Sequence, residues 1–218
     1  MQLTFKRPDN GNAAILFRCE DYVIVYKPYG IMSESPGMPE MISEMLDIDI
    51  KSVFTVHRLD TTTEGIMLYC LTQKAAAEFS ALISTGGFQK TYTAFISADE
   101  SLPESGRMED YLFFDRHKNK SYISKKDRKG AKKAVLEYVL TGKFSYREDT
   151  VTMAKIKLES GRTHQIRVQF GSRKSPLIGD GKYGSRINYK KASLFSSAIE
   201  FERKGNINQY ILEDCFEL

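Results

Sequence analysis

VFTVHRLDTTTEGIMLYCL, Val53 to Leu71, sets a charged centre between two apolar runs. VFTV (Val53 to Val56) leads in and IMLYCL (Ile66 to Leu71) leads out, both with the β-branched and aromatic residues that strands favour. Between them stands HRLDTTTEG, His57 to Gly65, with Arg58 and Asp60 two positions apart. In an extended chain, residues two apart point to the same face, so Arg58 and Asp60 share one. A neighbouring arginine keeps a carboxylate ionised. An ionised aspartate can serve as a nucleophile or an electrostatic stabiliser. The same residues also read as a local ion pair at a turn capped by threonine hydroxyls, since structural ion pairs perturb titration too.

On either side of this stretch the pattern alternates irregularly between strands and short helices. AAILFR (Ala13 to Arg18) and DYVIVYK (Asp21 to Lys27) read as strands, and Pro28 and Gly30 of KPYG close the second with a turn. PEMISEMLDI (Pro39 to Ile48) is a short helix candidate. TQKAAAEFSALIS (Thr72 to Ser84) is a clearer one, with Thr72 as cap, apolar residues at helical spacing, and Gly86 and Gly87 as a stop. FQKTYTAFI (Phe88 to Ile96), AVLEYVL (Ala134 to Leu140) and VTMAKIKLE (Val151 to Glu159) read as strands; in the last, Ala154, Ile156 and Leu158 oppose Lys155 and Lys157. THQIRVQF (Thr163 to Phe170) fits a short helix capped by Thr163, which brings His164, Arg167 and Val168 near one another. Strands outnumber helices and hairpins are plausible. The expected class is α+β with a mainly antiparallel mixed sheet and flanking helices. No repeat or linker divides the chain, so residues 1–218 read as a single domain.

Composition narrows the function. The chain has 218 residues, 41% of them hydrophobic, enough for a sizeable core. No apolar run is long enough to cross a bilayer, and MQLTFKRPDN shows no secretory signal, so no membrane partner is expected. Cys19, Cys70 and Cys215 form neither a CxxC pair nor a metal pattern with the three histidines, which fits a reduced, cytoplasmic setting and no metal. Net charge is only +4, but RHKNKSYISKKDRKGAKK (Arg116 to Lys133) carries nine Lys or Arg against Asp127 alone. A second basic stretch runs from Lys155 to Lys191, while acids gather between Glu40 and Asp49 and in the C-terminal tail. A concentrated basic face suits a polyanion, nucleic acid above all; a solvated loop that keeps the protein soluble is the plainer reading.

Several chemistries lack their residues. There is no GxSxG elbow and no HExxH helix. GDGKYG (Gly179 to Gly184) lacks the strand and helix frame of a nucleotide cradle and the Lys-Ser/Thr of a P-loop, so it reads as a tight turn in which Asp180 is a cap and Tyr183 part of the core.

Four segments taken together resemble the RluA-type family of RNA pseudouridine synthases: YVIVYKPYG (Tyr22 to Gly30), HRLDTTTEG (His57 to Gly65), QKTYTAFI (Gln89 to Ile96), and GRTHQIRVQF followed by PLIGDGKYG (Gly161 to Phe170, Pro176 to Gly184). The combination of HRLD with GRTHQIR is specific, and the match runs from about Ile15 to Phe201. The resemblance implies the pseudouridine synthase catalytic fold and an enzyme that isomerises a uridine in structured ribosomal or transfer RNA. It makes Asp60 the catalytic aspartate, attacking either the ribose C1′ or the base, after which the base detaches, rotates and rejoins through carbon. It makes Arg167 the basic residue that pairs with that aspartate and Tyr92 the tyrosine that stacks on the base. Arg58 becomes the arginine that fills the gap left by a flipped nucleotide. A uridine within a stacked helix hides its glycosidic bond, so flipping, at a cost of a few kcal/mol, is needed. A planar guanidinium can stack in the vacated place. The isomerisation is redox-neutral, and no cofactor is expected.

The sequence departs from the family at Glu64, where a small residue is usual, and at Gln169 and Phe170, where His-Leu is commoner. The catalytic pattern begins almost at once, leaving no expected room for an N-terminal S4-type RNA-binding domain. RNA binding is therefore expected from the catalytic domain, with Lys125, Lys126, Lys132 and Lys133 as substrate contacts. Lys27 is expected to shape a turn, and His57 and His164 to support the backbones of Asp60 and Arg167. A monomer is expected. The rival reading is a catalytically inactive RNA-binding or assembly factor of the same fold.

Overall fold

A computed structural model describes residues 1–9 and 11–213. The cysteine at position 215 and the acidic tail beyond Glu213 lie outside the described residues. The described chain groups into two compact units, Met1–Thr91 with the segment from Phe195 onward, and Tyr92–Leu194.

The first unit contains β1 (Gln2–Lys6), β2 (Ala14–Arg18), β3 (Tyr22–Lys27), α1 (Met38–Leu46), β4 (Phe54–Thr55), β5 (Glu64–Cys70) and α2 (Gln73–Thr85). It also holds the start of β6 (Phe88–Ile96), nearly all of β11 (Leu194–Arg203), and β12 (Asn206–Glu213). β3 and β5 lie antiparallel over their full lengths, Tyr22 opposite Cys70 and Lys27 opposite Gly65. Every residue of both strands is buried, which explains why they read as unbroken apolar runs. β5 is joined in parallel to β11 through Glu64 opposite Phe195 and Gly65 opposite Ser196. Gly65 has φ +124, and a Cβ there would meet the Ser196 carbonyl oxygen at 2.3 Å, so only glycine fits. α2 begins as expected: the Thr72 hydroxyl accepts the Ala75 N–H, and left-handed Gly86 ends the helix. Its Ala75 and Phe79 pack with Tyr22, Ile24, Ile66, Leu68, Phe88 and Phe201 into the core of this unit.

The second unit contains the rest of β6, then β7 (Ser105–Asp115), β8 (Lys120–Ser124), β9 (Lys132–Tyr146), β10 (Asp149–Leu158) and α3 (Gln165–Ser172). The strand order is β6-β10-β9-β7-β8. β10, β9, β7 and β8 pair antiparallel in turn. β10 alternates as the sequence suggests, with Ala154, Ile156 and Leu158 buried and Lys155 and Lys157 exposed. Both hairpin strands run past the expected limits to a tight turn at Arg147 and Glu148.

α3 starts later than expected. Its first turn is preceded by His164 at φ 55, in the left-handed region, with no side-chain cap, so Thr163 is not the N-cap. The physical reason lies elsewhere in the chain: the Thr163 carbonyl accepts the Ser121 hydroxyl, and the Gln165 side chain accepts from the Arg162 N–H. α3 is buried on every side from Gln165 to Phe170. Such a helix is tolerable only when its polar side chains are paired. Gln165 donates to the Val135 carbonyl, Gln169 to the Asp110 carboxylate at 2.7 Å, and Arg167 binds Asp180.

Candidate active site

The loop from His57 to Thr63 lies between β4 and β5 and is pinned from beneath. His57 and Leu59 are buried, Arg58 is exposed and Asp60 half-buried, which is the alternation of an extended segment with one open face. Ser33 grips Leu59 at both ends: the Leu59 N–H donates to Ser33 Oγ at 3.0 Å, and the hydroxyl donates to the Leu59 carbonyl at 2.9 Å. The Ser33 carbonyl in turn accepts the Tyr69 hydroxyl at 2.7 Å. The Asp60 carbonyl accepts the Thr63 N–H, and the Thr61 carbonyl accepts the Gly30 N–H, both at 2.9 Å. Gly30 reaches this position with φ +85 at the end of the KPYG turn. Lys27, fully buried, holds that turn with its ammonium, donating to the carbonyls of Pro28 at 2.9 Å and Ile31 at 2.6 Å. The expectation of a structural Lys27 agrees with this geometry.

His57 supports the loop from below. Its Nε2 accepts the Leu68 N–H at 3.0 Å, which requires a neutral imidazole with its proton on Nδ1. Burial, with the charge of Lys90 adding to it, holds the His57 pKa well below the usual imidazole value. Arg58 meets Glu34 at 3.5 Å with both side chains well exposed. The family-unusual Glu64 is buried at the head of β5, accepting from the Tyr26 hydroxyl at 3.1 Å and pairing with Arg7 at 3.4 Å. Burial and the Glu64 charge raise the Tyr26 phenol.

In the second unit, Arg167 projects from α3 onto Asp180. Nε donates to Oδ2 at 2.6 Å and Nη2 to Oδ1 at 2.8 Å, a two-pronged pair with both side chains almost wholly buried. This corrects the reading of Asp180 as a turn cap. Its backbone carbonyl does close the turn, accepting from Tyr183 and Ser185, but the carboxylate belongs to Arg167. The Tyr183 ring lies under the same guanidinium at 5.1 Å, and its hydroxyl accepts from the Ser121 N–H and shares a hydrogen bond with His164 Nδ1, both at 2.8 Å. The whole GDGKYG turn is thus a cradle for Arg167. Tyr92 stands in β6, 4% exposed.

The basic segment is split between a turn at Arg116 to Asn119 and the connection from β8 to β9. That connection crosses β7, where the Arg128 guanidinium covers the Phe113 ring at 3.6 Å. Lys125, Lys126, Lys132 and Lys133 are all exposed, and Lys133 pairs with Glu109 at 2.6 Å.

Sequence reasoning did not find Ser33, whose role depends on a contact 26 residues away. The importance of Asp180 and Tyr183 was signalled only by their place in the quoted GDGKYG.

Residues 21–172 match the RNA pseudouridylate synthase family, and this chain belongs to it. Its members are isomerases acting on RNA. Among the relatives is a Haemophilus influenzae protein described as an uncharacterized RNA pseudouridine synthase, 27% identical over 92% of this chain and 86% of its own length. The ribosomal large subunit pseudouridine synthase D of Borreliella burgdorferi is 28% identical over 97% of this chain and 68% of its own. In fold, human RNA pseudouridylate synthase domain containing 1 superposes with a TM-score of 0.76 at 18% identity, covering 95% of this chain and 85% of that one.

Proposed function

We propose that this protein converts a specific uridine in structured RNA, ribosomal or transfer, to pseudouridine, with Asp60 as the nucleophile. The observation that carries the reading is the HRLD loop: a half-buried carboxylate on a backbone held by Ser33 and Gly30, with Arg58 exposed on the same face. A nucleophile needs both reach and a fixed position, and this loop supplies both. In the reaction the ribose C1′–N1 bond breaks and a C1′–C5 bond forms; the C5 proton leaves and N1 gains one, so electrons balance without a carrier. Arg58 fills the space of the flipped nucleotide, Tyr92 stacks on the extruded base, and Arg167 acts as the basic residue of the reaction. Lys125, Lys126, Lys132 and Lys133 contact flanking phosphates. The protein works in the cytoplasm as a monomer.

The test is tritium release from RNA labelled at uridine C5, run on ribosomal and transfer RNA separately, with Asp60→Asn as control. Release from one pool that the variant abolishes, with its RNA binding intact, supports the reading and names the substrate. Release that persists in Asp60→Asn refutes the nucleophile. RNA binding without release from either pool turns the reading toward an inactive binding factor.

A further inference from the structure

The last part of the second basic stretch, from Arg186 to Lys191, takes no part in the site described above and meets the β9–β10 turn. Tyr146 ends β9. Its hydroxyl donates to the Asn188 carbonyl at 3.3 Å, and its ring meets that of Tyr189 edge-on, centroids 5.5 Å apart at 76°. The Arg147 guanidinium lies 5.4 Å from the Tyr146 ring. Both tyrosines are half-buried; Arg147, Arg186 and Lys190 are exposed, and Lys191 is half-buried. Glu148 and Asp149 are the acids at this tip, so the cations outnumber them.

Two features describe how the cluster is built. Arg147 occupies the left-handed region at φ 54, where glycine or asparagine is ordinary and another L-residue is strained by roughly 1–2 kcal/mol. The loop is also built onto the cradle of Arg167. Gly179, next to Asp180, donates its N–H to the Ile187 carbonyl, and a Cβ on it would meet Lys191 O at 2.1 Å and Tyr189 Cβ at 3.1 Å. The cluster is therefore held by the same turn that holds Arg167.

We infer that Tyr146, Arg147, Tyr189, Lys190, Lys191 and Arg186 form a second RNA-contact surface, which takes an unpaired stretch of the substrate outside the target nucleotide. Ordered aromatic faces interleaved with cations are what single-stranded RNA requires: bases stack on the rings, and the phosphates between them meet the charges. The inference rests on the proposed RNA substrate.

The test compares wild type with Arg147→Gly, Tyr189→Ala and Lys190→Glu. Binding to a fluorescein-labelled single-stranded oligouridylate is read by anisotropy across salt, and tritium release from ribosomal and transfer RNA is read alongside. Arg147→Gly is the decisive variant, because glycine relieves the left-handed strain while removing the side chain. It should melt at or above the wild-type temperature yet bind several-fold more weakly, with a salt slope shallower by about 0.7. Tyr189→Ala should weaken binding by about fivefold or more. On full-length RNA the variants should raise KM more than they lower kcat. Wild-type affinity and salt slope in folded Arg147→Gly and Lys190→Glu would overturn the surface, even if wild type makes pseudouridine. Lost binding in these variants, with no pseudouridine made by wild type, would leave the surface standing and refute the proposed reaction.

Discussion

Replacing Ser33 with alanine removes one hydroxyl and with it both hydrogen bonds of the Leu59 peptide groups. Leu59 is 6% exposed and Ser33 4%, so water reaches neither side easily. The Leu59 N–H loses its acceptor at 3.0 Å and the carbonyl its donor at 2.9 Å. A buried polar group left unpaired costs about 1–3 kcal/mol. Some relaxation of the loop will recover part of this, so about 3 kcal/mol for the pair is a reasonable sum. In a chain of this size 1 kcal/mol moves the melting temperature by about 2–4 °C, so Ser33→Ala should melt roughly 6–12 °C lower. Relaxation is also where function suffers, since Leu59 stands between Arg58 and Asp60. A displacement of about 1 Å at a reacting group can cost about a hundredfold in rate, so kcat for tritium release should fall by about ten- to a hundredfold. The assay pairs thermal melting with single-turnover release. Ser84→Ala, which removes an exposed hydroxyl bonded to the Ala81 carbonyl, serves as control and should stay within about 0.5 kcal/mol of wild type. A Ser33→Ala protein that melts and turns over as wild type would refute the idea that this hydroxyl holds the loop.

Three further outcomes are expected. Asp180→Ala leaves the Arg167 guanidinium buried without its two-pronged partner and should destabilise the protein by about 3–5 kcal/mol, measured by urea unfolding. Charge reversal at Lys125, Lys126 and Lys132 should flatten the salt dependence of RNA binding by about 0.7–0.9 per lost phosphate contact, read by anisotropy. Adding Lys133 should also cost its pair with Glu109. His57 gives a pH signature: its folded pKa lies below the unfolded value of about 6.5, so the unfolded chain binds the extra proton first. Stability is then fully present above the unfolded value and lost as pH falls below it, by up to about 1.4 kcal/mol per pH unit. The difference between wild type and His57→Gln in urea midpoints from pH 7.5 to 5.5 should narrow accordingly.

Much of the fold is legible because its signals are local. β3 and β5 read as strands from composition alone, and α2 from Thr72 and Gly86, because capping and stopping act within a turn of the chain. β9 and β10 outran their sequence limits because the segment around Gly142 looks like a loop until the cross-strand ladder pairs it. α3 begins one residue later than its pattern suggests because the group that claims the Thr163 carbonyl is Ser121, 42 residues away. The partner of the Asp180 carboxylate is hidden from the sequence in the same way. A short glycine-rich turn suits an acidic cap, and only the folded chain brings the Arg167 fork within 2.6 Å. Side chains that join distant segments leave no periodicity to read, and the site is made largely of them.

A charged pair stands where two strands meet. Backbone and side chain are held differently there. The backbone of the HRLD loop is costly to move: Leu59 is held at both peptide groups, Asp60 and Thr61 each accept a backbone N–H, and His57 is committed to Leu68. The Arg58 contact with Glu34 is the opposite, an exposed pair at 3.5 Å of a kind worth about 0–1 kcal/mol. Arg58 is thus the exposed member of the pair, while Asp60, two residues on, sits on backbone that the fold holds. An exposed cation beside a carboxylate on fixed backbone is the pairing the proposed reaction calls for, since reach and a held position are both needed.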